Sequence, residues 1–249
     1  MKRSSGPRKT ANLSESLQNR LNMYALAASA AGVGVLALSQ PAEAKIIYTP
    51  AHAKLVEDHP IALDLNHDRI VDFYLIQLAT ADFDFASFLS ACQHLRTAST
   101  GGLFCSSTLG MNAIRATDSK GNLYAAALRY GKAIQQGQRF AKRKVRLGGV
   151  VTNFESTTTW LGPWLNGGKG VKNRYLGLKF KIKGQFHFGW ARITTTTSKD
   201  RYTTTLTGYA YETIPGKGII AGQKKGQGET QGPSLGALAA GANALHTWK

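Results

Sequence analysis

The sequence is poor in cysteine and in acidic residues. Its 249 residues include only 2 Cys, and 14 Asp and Glu stand against 31 Lys and Arg. So few cysteines cannot form a dense disulfide framework, and a buried core must hold the fold. The hydrophobic fraction of 43% is that of an ordinary globular protein, which excludes disorder of the whole chain.

The motifs of common catalytic sites are also missing. The chain has no Gly-x-Ser-x-Gly or His-Glu-x-x-His sequence, and its six histidines lack metal-binding spacing. We therefore predict that the protein is not an enzyme. The alternative is a secreted carbohydrate-active hydrolase with a β-sandwich fold, in which acids between residues 64 and 84, such as Asp82 and Asp84, act as the carboxylates.

The net charge of +17 is unevenly distributed. Residues 45–249 carry 26 basic and 12 acidic side chains, and 7 of these 12 acids lie between Glu57 and Asp84. Residues 111–249 carry 22 basic and only 5 acidic side chains. A basic surface favours polyanions such as nucleic acid, anionic lipid or acidic polysaccharide.

The first 44 residues have the composition of a cleavable signal peptide. Basic residues precede an uncharged stretch from Met23 to Leu38, and Pro41-Ala42-Glu43-Ala44 offers small residues at the positions that a signal peptidase reads. No Cys lies at that site, which excludes a lipoprotein. The alternative is an uncleaved N-terminal anchor. We predict export to the periplasm, cell surface or extracellular space.

Residues 222–249 predict a linker followed by a short apolar tail. Gly222 to Pro233 is rich in Gly, Gln and Lys, and Ser234 to Leu245 is a run of small apolar residues before Trp248 and Lys249. Because about 12–15 residues are too short to cross the hydrocarbon core as a helix, any membrane contact here would be marginal. This order of segments resembles the C-terminal sorting tails of PEP-CTERM exported proteins, although Gly232-Pro233-Ser234 replaces Pro-Glu-Pro.

Residues 45–221 are predicted to form an antiparallel two-sheet β-sandwich, because their apolar residues recur with a period of two. The clearest hairpin has Leu176, Leu178 and Phe180 alternating with lysines, then Phe186, Phe188 and Trp190 alternating with His187, Gly189 and Ala191. This pattern predicts one apolar face and one basic or small face. A second hairpin is predicted from 193–197 and 202–211, and one short helix near 83–95.

Four segments resemble a group of exported bacterial proteins of unknown function that often carry PEP-CTERM tails. These segments are 64–68 (DLNHD), 175–180 (YLGLKF), 189–192 (GWAR) and 209–213 (YAYET). The resemblance implies an exported role and a jelly-roll-like fold, and it carries no chemistry.

One acidic segment has the spacing of a calcium loop. Side-chain oxygens recur at every second residue, and the predicted ligands are Asp64, Asn66, Asp68, the carbonyl of Ile70, and Asp72. Calcium prefers six to eight oxygen ligands, and such a loop supplies oxygens of this type. The spacing resembles the loops of FG-GAP and dockerin repeats, with Arg69 at the usual glycine position. The alternative is a solvent-exposed turn rich in Asp and Asn.

Cys92 and Cys105 are the only cysteines, and both lie in the predicted exported part. An even pair in an oxidising compartment predicts a disulfide, here closing a loop of 12 residues. The alternative is two separate buried thiols.

The basic residues favour a non-catalytic envelope or extracellular-matrix protein that binds anionic polysaccharide. The predicted contacts are Lys179, Lys181, Lys183, Arg139, Lys142, Arg143, Lys144 and Arg146. Nucleic acid is rejected as a partner because of the export signal. The alternative is that both clusters are plain solvated surface.

Overall fold

A computed structural model describes residues 45–80, 85–98, 103–106 and 111–226. The chain divides into the units Met1–Glu43 and Ala44–Lys249, and the described residues all belong to the second. The predicted signal peptide, most of the predicted linker and tail, and Asp82 and Asp84 lie outside the described residues.

The described chain is nearly all β, as predicted, and it contains no helix of seven or more residues. Its strands are β1 (Ile46–Leu55), β2 (Ile61–Leu63), β3 (Phe73–Thr80), β4 (Phe85–Cys92), β5 (Leu95–Thr97), β6 (Leu103–Cys105), β7 (Ala113–Ser119), β8 (Asn122–Ala125), β9 (Ala133–Ile134), β10 (Phe140–Ala141), β11 (Val145–Thr152), β12 (Thr158–Leu161), β13 (Val171–Ile182), β14 (Gln185–Ser198), β15 (Arg201–Glu212) and β16 (Ile219–Ile220). One 3₁₀ turn covers Asn166–Gly168.

The predicted two-sheet sandwich is wrong, because twelve strands form a single sheet that curls into a nearly closed barrel. The strand order is β1-β15-β14-β13-β7-β8-β11-β4-β3-β2, with β10 beside β7 and β12 beside β11. Near the closure, the backbone N–H of Asp58 donates to the carbonyl of Gln77 on β3 at 3.1 Å. A period of two gives every strand an inner and an outer face in either architecture, so periodicity does not distinguish them.

The predicted helix near 83–95 is also wrong, because Phe85–Cys92 forms strand β4. This strand lies between β3 and β11, and six of its eight residues are buried. A strand buried on both faces loses the alternation of apolar and polar residues. The apolar residues of this short buried strand therefore have a spacing that is also typical of a helix.

The hairpin of β13 and β14 forms as predicted, but its apolar residues do not share one face. Lys179 pairs with Phe188, and Lys181 with Phe186. Directly paired residues lie on the same face of a sheet, so the β14 aromatics lie on the lysine face. Leu176, Leu178 and Phe180 face the main core. The second predicted hairpin also forms, with β14 running on unbroken to Ser198.

A second, smaller core covers the outer face of β13–β15. Phe188 and Trp190 are fully buried there beneath Ile134, Ile219 and Ala221. Strands β9 and β16, which pair with each other, supply Ile134 and Ile219. The indole N–H of Trp190 donates to the carbonyl of Gln223 at 3.2 Å, so the first residues after 221 pack on this outer layer.

Candidate functional site

The acidic loop joins β2 to β3, which are hydrogen-bonded neighbours. Leu63 pairs with Phe73 at the end of the hairpin, and the N–H of Asp72 donates to the carbonyl of Leu63 at 2.8 Å. Leu65 is fully buried in the main core and anchors the loop to it. The nine residues 64–72 therefore form a closed loop on a fixed base.

Asp64 organises the first half of the loop. Its Oδ1 accepts from the N–H of Asp68 at 3.2 Å, and its Oδ2 accepts from the N–H of Arg69 at 2.8 Å. Arg69 has a φ of 71°, the left-handed conformation that favours glycine. The backbone thus makes the sharp turn of a glycine-containing loop although the residue is arginine.

Asn66 and Asp68 are joined side chain to side chain. The amide Nδ2 of Asn66 donates to Oδ2 of Asp68 at 2.8 Å, and the N–H of Ile70 donates to Oδ1 of Asp68, also at 2.8 Å. This orientation leaves Oδ1 of Asn66 buried and without a hydrogen-bond partner among the described residues. A buried oxygen without a donor fits a cation at that position.

Asp72 closes the loop from the other side. It is 6% exposed, and its Oδ2 accepts from the N–H of Leu65 at 2.9 Å. The pKa of Asp72 is raised from 3.8 to about 7, mainly because the carboxyl is buried. The hydrogen bond from Leu65 opposes this rise, and the charges of Asp68 and Asp64 add to it. Such a carboxyl holds a proton near neutral pH unless a cation replaces that proton.

The structure therefore brings the predicted ligand residues into one loop without assembling a finished metal site. Among residues 45–80, 85–98, 103–106 and 111–226, no group of three or more His, Cys, Asp or Glu side chains is placed to hold a metal ion. Ile70, whose carbonyl is one of the predicted ligands, is 68% exposed. A carboxylate oxygen that accepts one hydrogen bond keeps a second lone pair, so the bonds of Asp64 and Asp68 do not block coordination. The donor set is the hard-oxygen type that calcium takes.

The loop is fastened to the opposite end of the strand order. His67, at the tip, has Nε2 at 2.9 Å from Oγ1 of Thr49 on β1. Its ring lies 6.0 Å from that of Tyr209 on β15. Because β1 and β2 end the strand order, this contact spans the gap in the barrel. The loop therefore links the two ends of the strand order.

Two lysines of the predicted polyanion surface converge on one aromatic ring. The Nζ atoms of Lys179 and Lys181 lie 4.2 Å and 5.0 Å from the ring centroid of Phe186. Cation–π contact with Phe186 offsets part of their mutual repulsion. Neither these lysines nor Lys183 has a carboxylate within salt-bridge distance in the described part of the chain. Lys179 and Lys181 are half-buried, and Lys183 is exposed.

The second basic cluster lies next to the first. The Nε2 of Gln93 donates to the carbonyls of Asn112 and Lys142, and Oδ1 of Asn112 accepts from the N–H of Lys181. The Gln93–Asn112 pair thus ties both basic segments together. Lys142, Arg143, Lys144 and Arg146 are exposed, and the Arg146 guanidinium lies 4.2 Å from the Phe88 ring centroid. Arg139 differs because it pairs with Asp118.

The two cysteines lie at disulfide distance, with their sulfur atoms 2.14 Å apart. Cys92 ends β4, and Cys105 ends β6 in the small β5–β6 hairpin. They pack with Ile76 in a separate apolar cluster. The predicted pairing is confirmed, and it fastens a hairpin that has little core of its own.

Two clefts in the described region were not predicted from the sequence. One, of about 600 Å³, borders the acidic loop and is lined partly by Ile70, His94 and Met111. The other, of about 340 Å³, contains Tyr124 and Trp160. The residues lining them come from distant segments without a shared motif, so only the fold reveals them.

No protein-family model, curated protein or solved structure matches the chain. The resemblances to PEP-CTERM and FG-GAP proteins therefore remain predictions from the sequence. No helix in the described residues is long and apolar enough to cross a membrane.

Proposed function

We propose that the protein is an exported, non-catalytic envelope or matrix protein that binds acidic polysaccharide through its basic surface. The surface comprises Lys179, Lys181 and Lys183 together with Lys142, Arg143, Lys144 and Arg146. The observation that carries the proposal is the joining of these two segments through the Gln93–Asn112 pair. The signal segment supports export, since it directs the chain to a compartment where acidic glycans are the abundant polyanions.

The form of the basic surface favours an extended polyanion over a small anion. Its cations lie on β13 and the turn that follows it, and on the segment 142–146 that leads into β11, and they do not surround a single enclosed point. Phe186 beside Lys179 and Lys181 supplies an apolar patch between the charges. A sugar chain with regularly spaced carboxylates and exposed C–H groups complements both features.

We also propose that the acidic loop holds one structural calcium ion through Asp64, Asn66, Asp68, the Ile70 carbonyl and Asp72. The buried, unpartnered Oδ1 of Asn66 supports this, because a cation would satisfy it. A bound calcium ion would offset two of the three carboxylate charges and hold the loop against β1 and β15. Its role would be to stabilise the closure of the barrel.

A glycan array probed in low and in high sodium chloride tests the main proposal. We expect retention on acidic glycans in low salt, its loss in high salt, and no turnover of any glycan. The same surface predicts that Lys179→Gln/Lys181→Gln/Lys183→Gln lowers retention, whereas Lys217→Gln, remote in sequence and already paired with Glu212, serves as the control. Retention equal on neutral and acidic glycans would overturn the proposal, and glycan cleavage would support the hydrolase alternative.

A further inference from the structure

We infer that the cleft beside Tyr124 and Trp160 is a second binding site, which takes a pyranose unit of a saccharide. It lies where the main sheet forks. One edge of β11 is paired along its length with β4, and the other is shared by two strands. Tyr124 of β8 pairs there with Arg146 in parallel, and β12 pairs there from Gly149 to Thr152 in antiparallel orientation. The two strands diverge, and the cleft of about 340 Å³ opens between them.

Two aromatic side chains in the cleft carry polar groups without partners. Tyr124 is only 7% exposed, yet its hydroxyl makes no hydrogen bond to any described residue. Trp160 is half-buried, and its indole N–H is likewise unpaired within the described part of the chain. Neither atom is among the buried side-chain atoms of the described residues that lack a partner, so both polar groups reach solvent. Two aromatic residues with solvent-accessible polar groups in one cleft are available to an external ligand.

Glycine backbone fixes the position of both rings. A Cβ on Gly168 would lie 2.6 Å from Nε1 of Trp160, and a Cβ on Gly162 would lie 2.9 Å from Cδ1 of Tyr124. Gly162 and Gly168 have φ of 77° and 83°, so other residues would be strained there in any case. The rings are thus held against backbone before a ligand arrives, which lowers the entropic cost of binding.

The rim of the cleft is polar and carries one charge. Asn122, Thr159 and Ser119 line it, as does Asn166, whose exposed side chain makes no hydrogen bond to a described residue. Lys120 is its only charged residue. Amide and hydroxyl groups around aromatic rings match a pyranose, which has an apolar C–H face and a rim of hydroxyls. The volume is at the lower end of the usual range of about 300–1,000 Å³, which fits one or two sugar units.

This site differs from the basic surface in its physical basis. Aromatic packing and neutral hydrogen bonds are little affected by salt, whereas contacts between lysines and an extended polyanion are screened by it. The inference therefore stands without the proposed polyanion binding, and salt separates the two. Together the sites would let one chain contact both the charge and the sugar units of a polysaccharide.

Saturation-transfer NMR tests the inference with the purified protein and millimolar methyl glycosides of glucose, galactose, N-acetylglucosamine and glucuronic acid. We expect transfer to at least one glycoside in low and in high salt. Tyr124→Phe keeps the ring and removes one hydroxyl, so it should weaken the affinity by roughly 2- to 10-fold. Trp160→Phe, which removes the indole N–H, should weaken it at least as much.

Tyr130→Phe is the matched control, since Tyr130 is 73% exposed and does not line the cleft. Asn166→Gly removes a rim side chain at a residue whose φ of 47° glycine adopts freely, so its fold should be unchanged. Lys179→Gln/Lys181→Gln/Lys183→Gln should bind the glycosides as the parent protein does. The inference is overturned if none of the four glycosides shows transfer, or if Tyr124→Phe and Trp160→Phe both bind like Tyr130→Phe.

Discussion

The backbone N–H of Arg69 donates to the Oδ2 of Asp64 at 2.8 Å, and it does so from a φ of 71°. The bond requires a conformation that glycine adopts freely and arginine does not. Arg69 also places a positive charge in the loop proposed to bind calcium. Both the backbone strain and the charge therefore come from the same residue.

Arg69→Gly should stabilise the protein by about 0.5–1 kcal/mol, because the relief of strain exceeds the added flexibility of the unfolded chain. For a domain of this size that corresponds to a rise in Tm of roughly 1–4 °C. Differential scanning calorimetry in calcium-free buffer measures it. Arg69→Ala removes the charge and keeps the strain, so an equal gain in both variants would assign the effect to charge and refute the backbone explanation.

Calcium should raise the melting temperature of the protein, because an ion that binds only the folded state stabilises it by mass action. Asp64→Asn/Asp68→Asn should abolish the rise, since it removes two of the three carboxylates. Asp58→Asn is the control, because Asp58 lies outside the loop and its φ of 58° suits asparagine. A Tm that does not change at millimolar calcium would end the calcium proposal.

In calcium-free buffer, stability should fall as the pH rises from about 4 to about 7. The pKa of Asp72 is raised from 3.8 to about 7, so across that interval the folded state holds a proton that the unfolded state has released. Stability falls with pH wherever the folded state binds more protons. Asp72→Asn keeps the acceptor for Leu65 and cannot titrate. The difference in Tm between the parent protein and this variant should change across the interval, and a constant difference would contradict the pKa of Asp72.

Loss of the disulfide should destabilise the protein by about 3 kcal/mol, because Cys92–Cys105 closes a loop of 12 residues that has a small core. Urea unfolding of Cys92→Ala/Cys105→Ala against the parent protein measures the loss. Reducing agent should lower the stability of the parent protein and leave the variant unchanged. Equal stability of the two proteins under oxidising conditions would show that the link does not hold the β5–β6 hairpin.

Local patterns predicted individual strands better than they predicted architecture. The alternation of Leu176, Leu178 and Phe180 placed β13 correctly, and the structure joins it to β14 through a two-residue turn at Lys183–Gly184. That same turn sets the register which puts Phe188 opposite Lys179, and the sequence offers no mark of the outer layer that buries Phe188. Sandwich and barrel differ in long-range pairings such as that of β1 with β15, which leave no local periodicity.

The candidate sites differ in the same way, because those formed by residues close in sequence could be predicted and those formed by distant residues could not. The acidic loop and the disulfide could be found because their residues are close in sequence and have typical spacings. The Tyr124–Trp160 cleft could not, since its two aromatic residues are 36 positions apart and meet only where β11 forks. Likewise, the Gln93–Asn112 pair that joins the two basic segments consists of ordinary amides without a motif.

Titration of the protein with a linear polyuronate over a series of sodium chloride concentrations tests the proposed function most directly. If the basic surface binds the polymer, the logarithm of the association constant should fall linearly with the logarithm of salt concentration. Lys179→Gln/Lys181→Gln/Lys183→Gln should reduce that slope by up to about one unit for each lysine that contacts the polymer. A slope that is the same in this variant and in the parent protein, or an affinity independent of salt, would contradict binding through this surface.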